Sequence, residues 1–171
     1  MTRALINNPF YLRHSKIYWV NAGPRRELRT DILKPLIDSL ESMLVYHCRV
    51  HIARFDLHLP ALTPNNQIIS RLQRSLFSRI RSNYKTKNVG FVWVREKESA
   101  DAQHYHCVIY LDGNKIRHPG KIQKWIKEIW LHLDGNSCHW SGYHNVRRGG
   151  EDAIQRAVHH FSYLAKTRGK G

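Results

Sequence analysis

The segment His104-Tyr105-His106-Cys107-Val108-Ile109-Tyr110-Leu111 decides how the rest of the sequence is interpreted. Its β-branched and aromatic residues predict a β-strand, in which residues two apart point to the same face. His104 and His106 would then present two imidazoles side by side, which suits a metal ion. Because the chain has 12 histidines, one such pair is expected by chance, and the alternative is two half-exposed strand histidines. The other face of this strand is apolar enough to pack against helices, with Tyr105, Cys107, Ile109 and Leu111.

The composition indicates one globular domain with a polyanionic partner. The chain has 171 residues, 42% hydrophobic and 24% charged, with a net charge of +15. No acidic residue lies between Leu57 and Arg95. A positive field of this size favours nucleic acid, whereas an anionic membrane surface or simple solubility is the alternative. The basic residues that we expect to bind nucleic acid are Arg71, Arg74, Arg79, Arg81, Lys85 and Lys87.

The cysteines and the apolar runs restrict the class of protein further. Three scattered cysteines do not make a disulfide framework, and no CxxC motif occurs. No apolar run has the length of a membrane span, and the N-terminus lacks a signal-peptide core, so we expect a soluble, cytoplasmic protein without a membrane partner. A structural zinc site is a further alternative, although the spacing fits no common zinc finger; its ligands would come from Cys107, Cys138, His139 and His144.

Periodicity predicts an α+β fold with the core order β-α-β-β-α-β-α. This order predicts an antiparallel sheet of about four to five strands with a ferredoxin-like β-α-β-β-α-β core, plus a C-terminal helix. Residues 1–48 would form an N-terminal extension or a helix packed on this domain, and Pro35 interrupts the apolar run of that helix. The predicted helices cover residues 25–46, 63–82, 119–133 and 151–167, and the predicted strands cover residues 50–59, 89–96, 104–111 and 138–146.

A metal ion on the histidine pair needs a third ligand, usually a carboxylate. Glu96 ends the strand that should pair with the histidine strand, and a hairpin would bring it close. Glu98 and Asp56 are the alternative ligands, and the alternative for Glu96 itself is a solvated hairpin carboxylate. Asp56 and His58 share one face of their strand with Arg54, and they would continue the site if that strand is central.

The last predicted helix carries a different chemistry. His159, Tyr163 and Lys166 are spaced so that they share one helix face. A tyrosine hydroxyl ionises only near pH 10, and a lysine one turn away would favour the tyrosinate and could bind a phosphate. The same Tyr-x-x-Lys spacing occurs at Tyr84 and Lys87, and a packed or surface tyrosine is the alternative for Tyr163.

These motifs, taken in order, resemble the HUH superfamily of single-strand endonucleases. The segments Phe-Val-Trp-Val-Arg-Glu at 91–96, His-Tyr-His at 104–106 and Ser-Tyr-Leu-Ala-Lys at 162–166 are similar to the inovirus-type replication initiators, also called YagK/YfjJ-like. Those proteins occur in filamentous phages and in integrated phage-like elements of bacteria. The resemblance covers roughly residues 45–168.

The resemblance implies a rolling-circle replication initiator in a single HUH endonuclease domain over residues 1–171. Mg²⁺ or Mn²⁺ would be held by His104, His106 and Glu96, and Tyr163 would attack the scissile phosphate to leave a 5′-phosphotyrosine and a free 3′-hydroxyl. Lys166 would balance charge on the phosphate or the tyrosinate. The possible supporting residues behind this site are Asp56, His58 and His159.

The implied partners are single-stranded or hairpin origin DNA together with a helicase and a polymerase of the bacterial host. Exposed aromatic residues such as Trp93, Tyr105 or Trp140 could stack on bases. The alternative function is a basic nucleic-acid-binding module on a ferredoxin-like sheet without catalysis.

Overall fold

The computed structural model describes residues 4–97 and 103–167. Over these residues the protein is an α+β structure with a four-stranded antiparallel sheet and two small two-stranded sheets. Its strands are β1 (Leu5–Ile6), β2 (Phe10–Arg13), β3 (Lys16–Trp19), β4 (Leu28–Arg29), β5 (Arg49–Leu59), β6 (Gly90–Lys97), β7 (Gln103–Asp112) and β8 (Cys138–Arg147). Its helices are α1 (Thr30–Tyr46), α2 (Gln67–Tyr84), α3 (Gly120–His132), α4 (Glu151–Phe161) and a 3₁₀ helix (Ser162–Ala165).

The main sheet has the strand order β6-β7-β5-β8, and all its neighbours are antiparallel. The histidine strand β7 is therefore internal and lies between β6 and β5. Its register places Glu96 of β6 and His58 of β5 on either side of His104. Asp56 lies opposite His106. Side chains that are directly paired across strands point to the same face of a sheet, so this register brings these five polar side chains together.

One face of the sheet is an apolar layer covered by α2 and α3. The prediction that the alternate face of β7 packs against helices is confirmed, since Tyr105, Cys107, Ile109 and Leu111 are fully buried in this layer. Trp130 of α3 is buried there too, and its indole Nε1 donates a hydrogen bond to the carbonyl of His58 (3.0 Å).

The opposite face divides into an apolar half and a polar half. Val50, Ile52, Val108 and Tyr110 form a core with α1 and α4, and the Tyr110 hydroxyl donates a hydrogen bond to the carbonyl of Leu36 (2.8 Å). Further along β5 and β7 the side chains on this face become polar.

The helix α1 is one continuous element of 17 residues, so the proline at position 35 does not divide it.

The last predicted helix ends earlier than its sequence pattern suggests. The α4 helix stops at Phe161, and a 3₁₀ turn follows. Lys166 has extended backbone and forms a bridge with Leu28, while the Ser162 hydroxyl accepts a hydrogen bond from the backbone N–H of Asn21 (2.8 Å). The N-terminal region therefore holds the segment that carries Tyr163 in a different backbone conformation from the predicted helix.

A β-bulge bends β8 beside the polar half of the sheet. The register between β5 and β8 shifts between Arg54, paired with Gly142, and Phe55, paired with Trp140. Gly142 has a φ of +121°, which residues with a Cβ rarely adopt, so this position requires glycine.

Among the described residues, no helix combines the length and apolar character needed to span a bilayer.

A hydrogen bond between two imidazoles joins α4 to β8, and the burial of one of them makes stability dependent on pH. His144 Nε2 and His160 Nδ1 lie 2.9 Å apart. Burial, reinforced by Arg54 and His144, lowers the pKa of His160 from 6.5 to about 4. Below pH 6.5 the unfolded chain therefore binds a proton at this residue more readily than the folded protein does. The free energy of unfolding consequently decreases as the pH falls from 6.5 towards 4.

We therefore expect the melting temperature to fall less between pH 7 and pH 5 in His160→Gln than in the wild-type protein. Thermal unfolding followed by circular dichroism at both values would measure this difference. His132→Gln changes an exposed histidine of α3 and serves as the control. An equal fall in the His160→Gln variant and the wild-type protein would contradict the assignment.

Candidate metal and nucleophile site

Three buried side chains of β6 and β7 bring their ligand atoms together. Glu96, His104 and His106 are 8%, 5% and 6% exposed. The Nε2 atoms of the two histidines lie 3.0 Å apart, and Glu96 Oε2 lies 2.6 Å from His106 Nε2 and 3.8 Å from His104 Nε2. Within the described ranges, these residues form a group that could hold a metal ion. We refer to them as the triad.

Asp56 contacts the other side of the His106 ring. Its Oδ1 accepts a hydrogen bond from His106 Nδ1 (2.6 Å), while His106 Nε2 faces Glu96. Burial by itself would raise the pKa of Asp56, but the hydrogen bond with His106 and the neighbouring positive groups outweigh it and lower the pKa. A carboxylate in this position orients a metal-binding imidazole and fixes its tautomer. Asp56 is thus a supporting residue, whereas Glu98, the other alternative to Glu96, lies outside the described residues.

His58 extends the polar surface along β5. Its ring stacks on His104 with ring centroids 5.0 Å apart. Because β5 is internal to the sheet, its polar face of Arg54, Asp56 and His58 continues the site, as the sequence predicts for a central strand.

Tyr163 faces the triad from the 3₁₀ turn that follows α4. Its ring is half-buried and lies edge-on to His106, with ring centroids 6.5 Å apart. Lys166 Nζ lies 3.3 Å from the centroid of the Tyr163 ring. The phenol of Tyr163, but not that of Tyr84, therefore shares a site with the histidine pair, since the ring of Tyr84 packs edge-on against Trp125 of α3.

Arg54 lies in this site with Asp56 and His58, as its place on the polar face of β5 predicted, although the sequence indicated no particular contact for it. Its guanidinium carbon lies 4.5 Å from the Tyr163 ring centroid, and its Nε is buried with no hydrogen-bond partner among the described residues. Burial lowers the pKa of Arg54, although Asp56 and Tyr163 counteract this effect. The contact between Arg54 and the Tyr163 ring joins distant segments and has no local signal in the sequence.

The remaining predicted residues occupy two other parts of the structure. His159 stacks on Trp19 of the N-terminal hairpin, with ring centroids 3.8 Å apart. The four arginines of α2 are exposed on the helix that covers the sheet face opposite the triad, and Lys85 and Lys87 follow that helix; the arginines are Arg71, Arg74, Arg79 and Arg81.

The expectation that Tyr105 stacks on bases is wrong. Its ring is fully buried under α2, and its hydroxyl donates a hydrogen bond to Asn66 Oδ1 (3.0 Å). Trp93 packs edge-on against Tyr105, and Trp140 stacks on Phe55, so both are partly buried against the same apolar layer.

A second group of possible ligands lies on the N-terminal hairpin and α1. His14 Nε2 is 3.0 Å from Asp38 Oδ1 and 3.7 Å from Glu41 Oε2. Arg13 already binds both oxygens of Asp38, at 2.8 and 2.6 Å. Neither of the two groups found among the described residues contains a cysteine, which gives no support to the alternative of a thiolate zinc site.

The chain matches the model of a known protein family. A family model described as the YagK/YfjJ C-terminal domain matches residues 13–171. Neither a curated protein nor a solved structure matches the chain significantly.

The hydrogen bond between Asp56 and His106 predicts a loss of metal affinity in Asp56→Asn. Removal of an outer carboxylate partner typically lowers affinity by about 10–100-fold, and we expect a decrease in this range for Mn²⁺. Titration of Mn²⁺ followed by electron paramagnetic resonance would measure it. Asp38→Asn, in the second group of possible ligands, is the matched control and should keep the wild-type affinity for the triad. Equal losses in both variants would contradict the role of Asp56.

Proposed function

The chain belongs to the YagK/YfjJ C-terminal domain family, and from this membership and the site geometry we propose that it is a metal-dependent endonuclease of single-stranded DNA. Tyr163 is its nucleophile. The proposal depends on one observation, which is that the phenol of Tyr163 and the triad lie on the same face of the sheet with the His106 and Tyr163 rings 6.5 Å apart. In this proposal the protein is a replication initiator of the HUH type that acts on origin DNA in the cytoplasm of a bacterial host.

The proposed fold within the α+β class is a ferredoxin-like core. The order β8-β5-β7-β6, with antiparallel neighbours throughout, is consistent with a β-α-β-β-α-β unit built from β5, α2, β6, β7, α3 and β8. Both helices of that unit pack on one face, which leaves the other face for α1, α4 and the site.

The triad fits a divalent cation such as Mg²⁺ or Mn²⁺. Two imidazole nitrogens and one carboxylate oxygen form a mixed set of ligands that leaves coordination positions for a substrate oxygen. Glu96 is a buried carboxylate and Asp56 a partly buried one, both beside His106, and negative charge with little exposure requires positive partners. A bound cation would polarise the scissile phosphate as a Lewis acid.

Cleavage in this proposal is a transesterification. The Tyr163 oxygen forms a bond to phosphorus as the bond from phosphorus to the 3′ oxygen breaks. The phenol loses its proton and the leaving oxygen gains one, so the products are a 5′-phosphotyrosine and a free 3′-hydroxyl. Because the number of phosphoester bonds is unchanged, the reverse reaction rejoins the strand without ATP.

The 3′-hydroxyl would prime DNA synthesis by a host polymerase, with a host helicase separating the strands. Those partners follow from the resemblance of the motifs to replication initiators.

Two cationic groups beside the Tyr163 ring would stabilise negative charge during this reaction. The guanidinium carbon of Arg54 and the Nζ atom of Lys166 both lie within 4.5 Å of the ring centroid. Positive groups fixed in place next to a reacting phosphate are an efficient form of electrostatic stabilisation. Burial of Arg54 strengthens this effect because the local dielectric constant is lower than in water.

We expect the wild-type protein, incubated with labelled single-stranded DNA from the origin and Mn²⁺, to form a covalent adduct that is stable in SDS. Tyr163→Phe removes only the attacking oxygen, so the adduct should be lost while the melting temperature stays close to that of the wild-type protein. Denaturing gel electrophoresis would measure the adduct.

The chain supplies its own control for this experiment. Tyr84→Phe changes the other Tyr-x-x-Lys motif, which packs under α3, and should leave the adduct unchanged. An adduct that persists in Tyr163→Phe would contradict the assignment of the nucleophile. If the wild-type protein binds the DNA without forming an adduct, the non-catalytic binding module is the better interpretation.

A further inference from the structure

Four arginines surround a cleft at the end of the sheet far from the triad. The cleft has a volume of about 630 Å³ and lies between the end of β8 and the beginning of α4. We call it the arginine cleft; its basic residues are Arg49, Arg117, Arg147 and Arg156. Arg49 is the first residue of β5 and Arg147 the last residue of β8, whereas the residues of the site on β5 are Arg54, Asp56 and His58.

These arginines are exposed, and within the described part of the chain none forms an ion pair or donates a side-chain hydrogen bond. This sets them apart from other arginines of the structure, such as Arg13, which binds Asp38, and Arg79, which binds Glu128. Glu151 and Asp152 also line the cleft, so it holds four guanidinium groups against two carboxylates. Guanidinium groups without a protein partner are suited to bind phosphate oxygens through paired hydrogen bonds.

The helix α4 connects the arginine cleft to the nucleophile. Glu151 begins the helix beside the cleft, and Tyr163 follows its end. At a rise of 1.5 Å per residue in α4 and about 2 Å in the 3₁₀ turn, the 12 steps between these residues span roughly 19 Å. A DNA strand in a duplex advances about 3.4 Å per phosphate and an extended single strand advances further, so this distance covers no more than about five phosphates. A nucleic acid with one phosphate at Tyr163 would therefore have further phosphates within reach of the cleft.

The α2 arginines occupy a less favourable position. They lie on the helix that covers the opposite face of the sheet, so a strand bound at the triad would have to pass around an edge of the sheet to contact them. The arginine cleft lies at the end of the sheet where α4 begins, so a strand that follows α4 from Tyr163 reaches Arg156 on the face that carries the triad. Arg49 and Arg147 are paired at this end of the sheet and alternate with Val50 of the α4 face, so they belong to the opposite face and line the cleft from that side.

We propose that the arginine cleft binds backbone phosphates of the DNA that flanks the cleaved position. This inference rests on the proposed nuclease function. Four unpaired guanidinium groups can bind more than one phosphate, so successive phosphates of one DNA strand would contact different arginines of the cleft. The cleft would fix the position of the DNA without reading its sequence, because phosphate contacts carry no base information.

The test compares two double variants that remove the same charge. Arg147→Gln with Arg156→Gln alters the cleft, and Arg71→Gln with Arg74→Gln alters α2. Both are made in Tyr163→Phe, so that no covalent adduct forms, and circular dichroism verifies folding. Binding to fluorescein-labelled 20-nucleotide oligothymidylate is measured by anisotropy between 50 and 200 mM NaCl.

We expect the affinity of the cleft variant for the oligothymidylate to fall roughly tenfold at the lower salt concentration. The slope of log K against log salt should become less steep by about 1.4, the value for two lost single-strand phosphate contacts. In the α2 variant, the affinity and the salt slope should both change markedly less. A second cleft pair, Arg49→Gln with Arg117→Gln, should reproduce the loss. Equal losses from the cleft and from α2, or wild-type binding by both cleft variants, would overturn the inference.

The adduct assay separates this inference from the proposed function. An adduct in the wild-type protein, together with unchanged binding in the cleft variants, would reject the cleft and leave the nuclease. Loss of binding in the cleft variants, together with no adduct in the wild-type protein, would reject the nuclease and leave the cleft as a DNA-binding surface.

Discussion

The register of β7 against its two neighbours is the constraint on which the site depends. His104 and His106 can share a metal ion only if both point away from the apolar layer, and the period of two in a strand ensures this. The same register places Glu96 beside one histidine and Asp56 beside the other. A slip of one residue would turn both imidazoles into the layer under α2 and α3. The burial of the alternate residues in that layer makes such a slip unfavourable.

The electrostatics of the site follow from where this register leaves the charged groups. Acidic side chains with little exposure lie against both nitrogens of His106, and Arg54 is the positive group next to Asp56 along the strand. Buried charges are tolerated when they are paired, and here the pairs extend from β6 across the sheet to the turn after α4. The ring of Tyr163 contacts both His106 of the triad and Arg54 of β5, although these residues are far apart in the sequence.

The sequence predicted the parts of this structure that depend on local pattern. The alternation in β5 and β7, the helical stripe of α1 and the hairpin that carries Glu96 are all visible in the order of the residues. Contacts between distant segments were not predictable in this way. The early end of α4 depends on Asn21 and Leu28, and the role of Arg54 depends on a turn more than 100 residues later in the chain. Amphipathic periodicity identified α2 correctly, but it carries no information on which face of the sheet the helix covers.

The division of the sheet into a dry face and a half-polar face has a consequence for how such proteins can diverge. In the polar half of β5 and β7, neighbouring positions are subject to different constraints, since one set fills the layer under α2 and α3 and the next set carries the triad and its polar partners. Substitutions in the polar set can therefore accumulate without disturbing the packing of the residues between them. In evolutionary terms, one scaffold can acquire a different site chemistry while its folding stability is inherited unchanged.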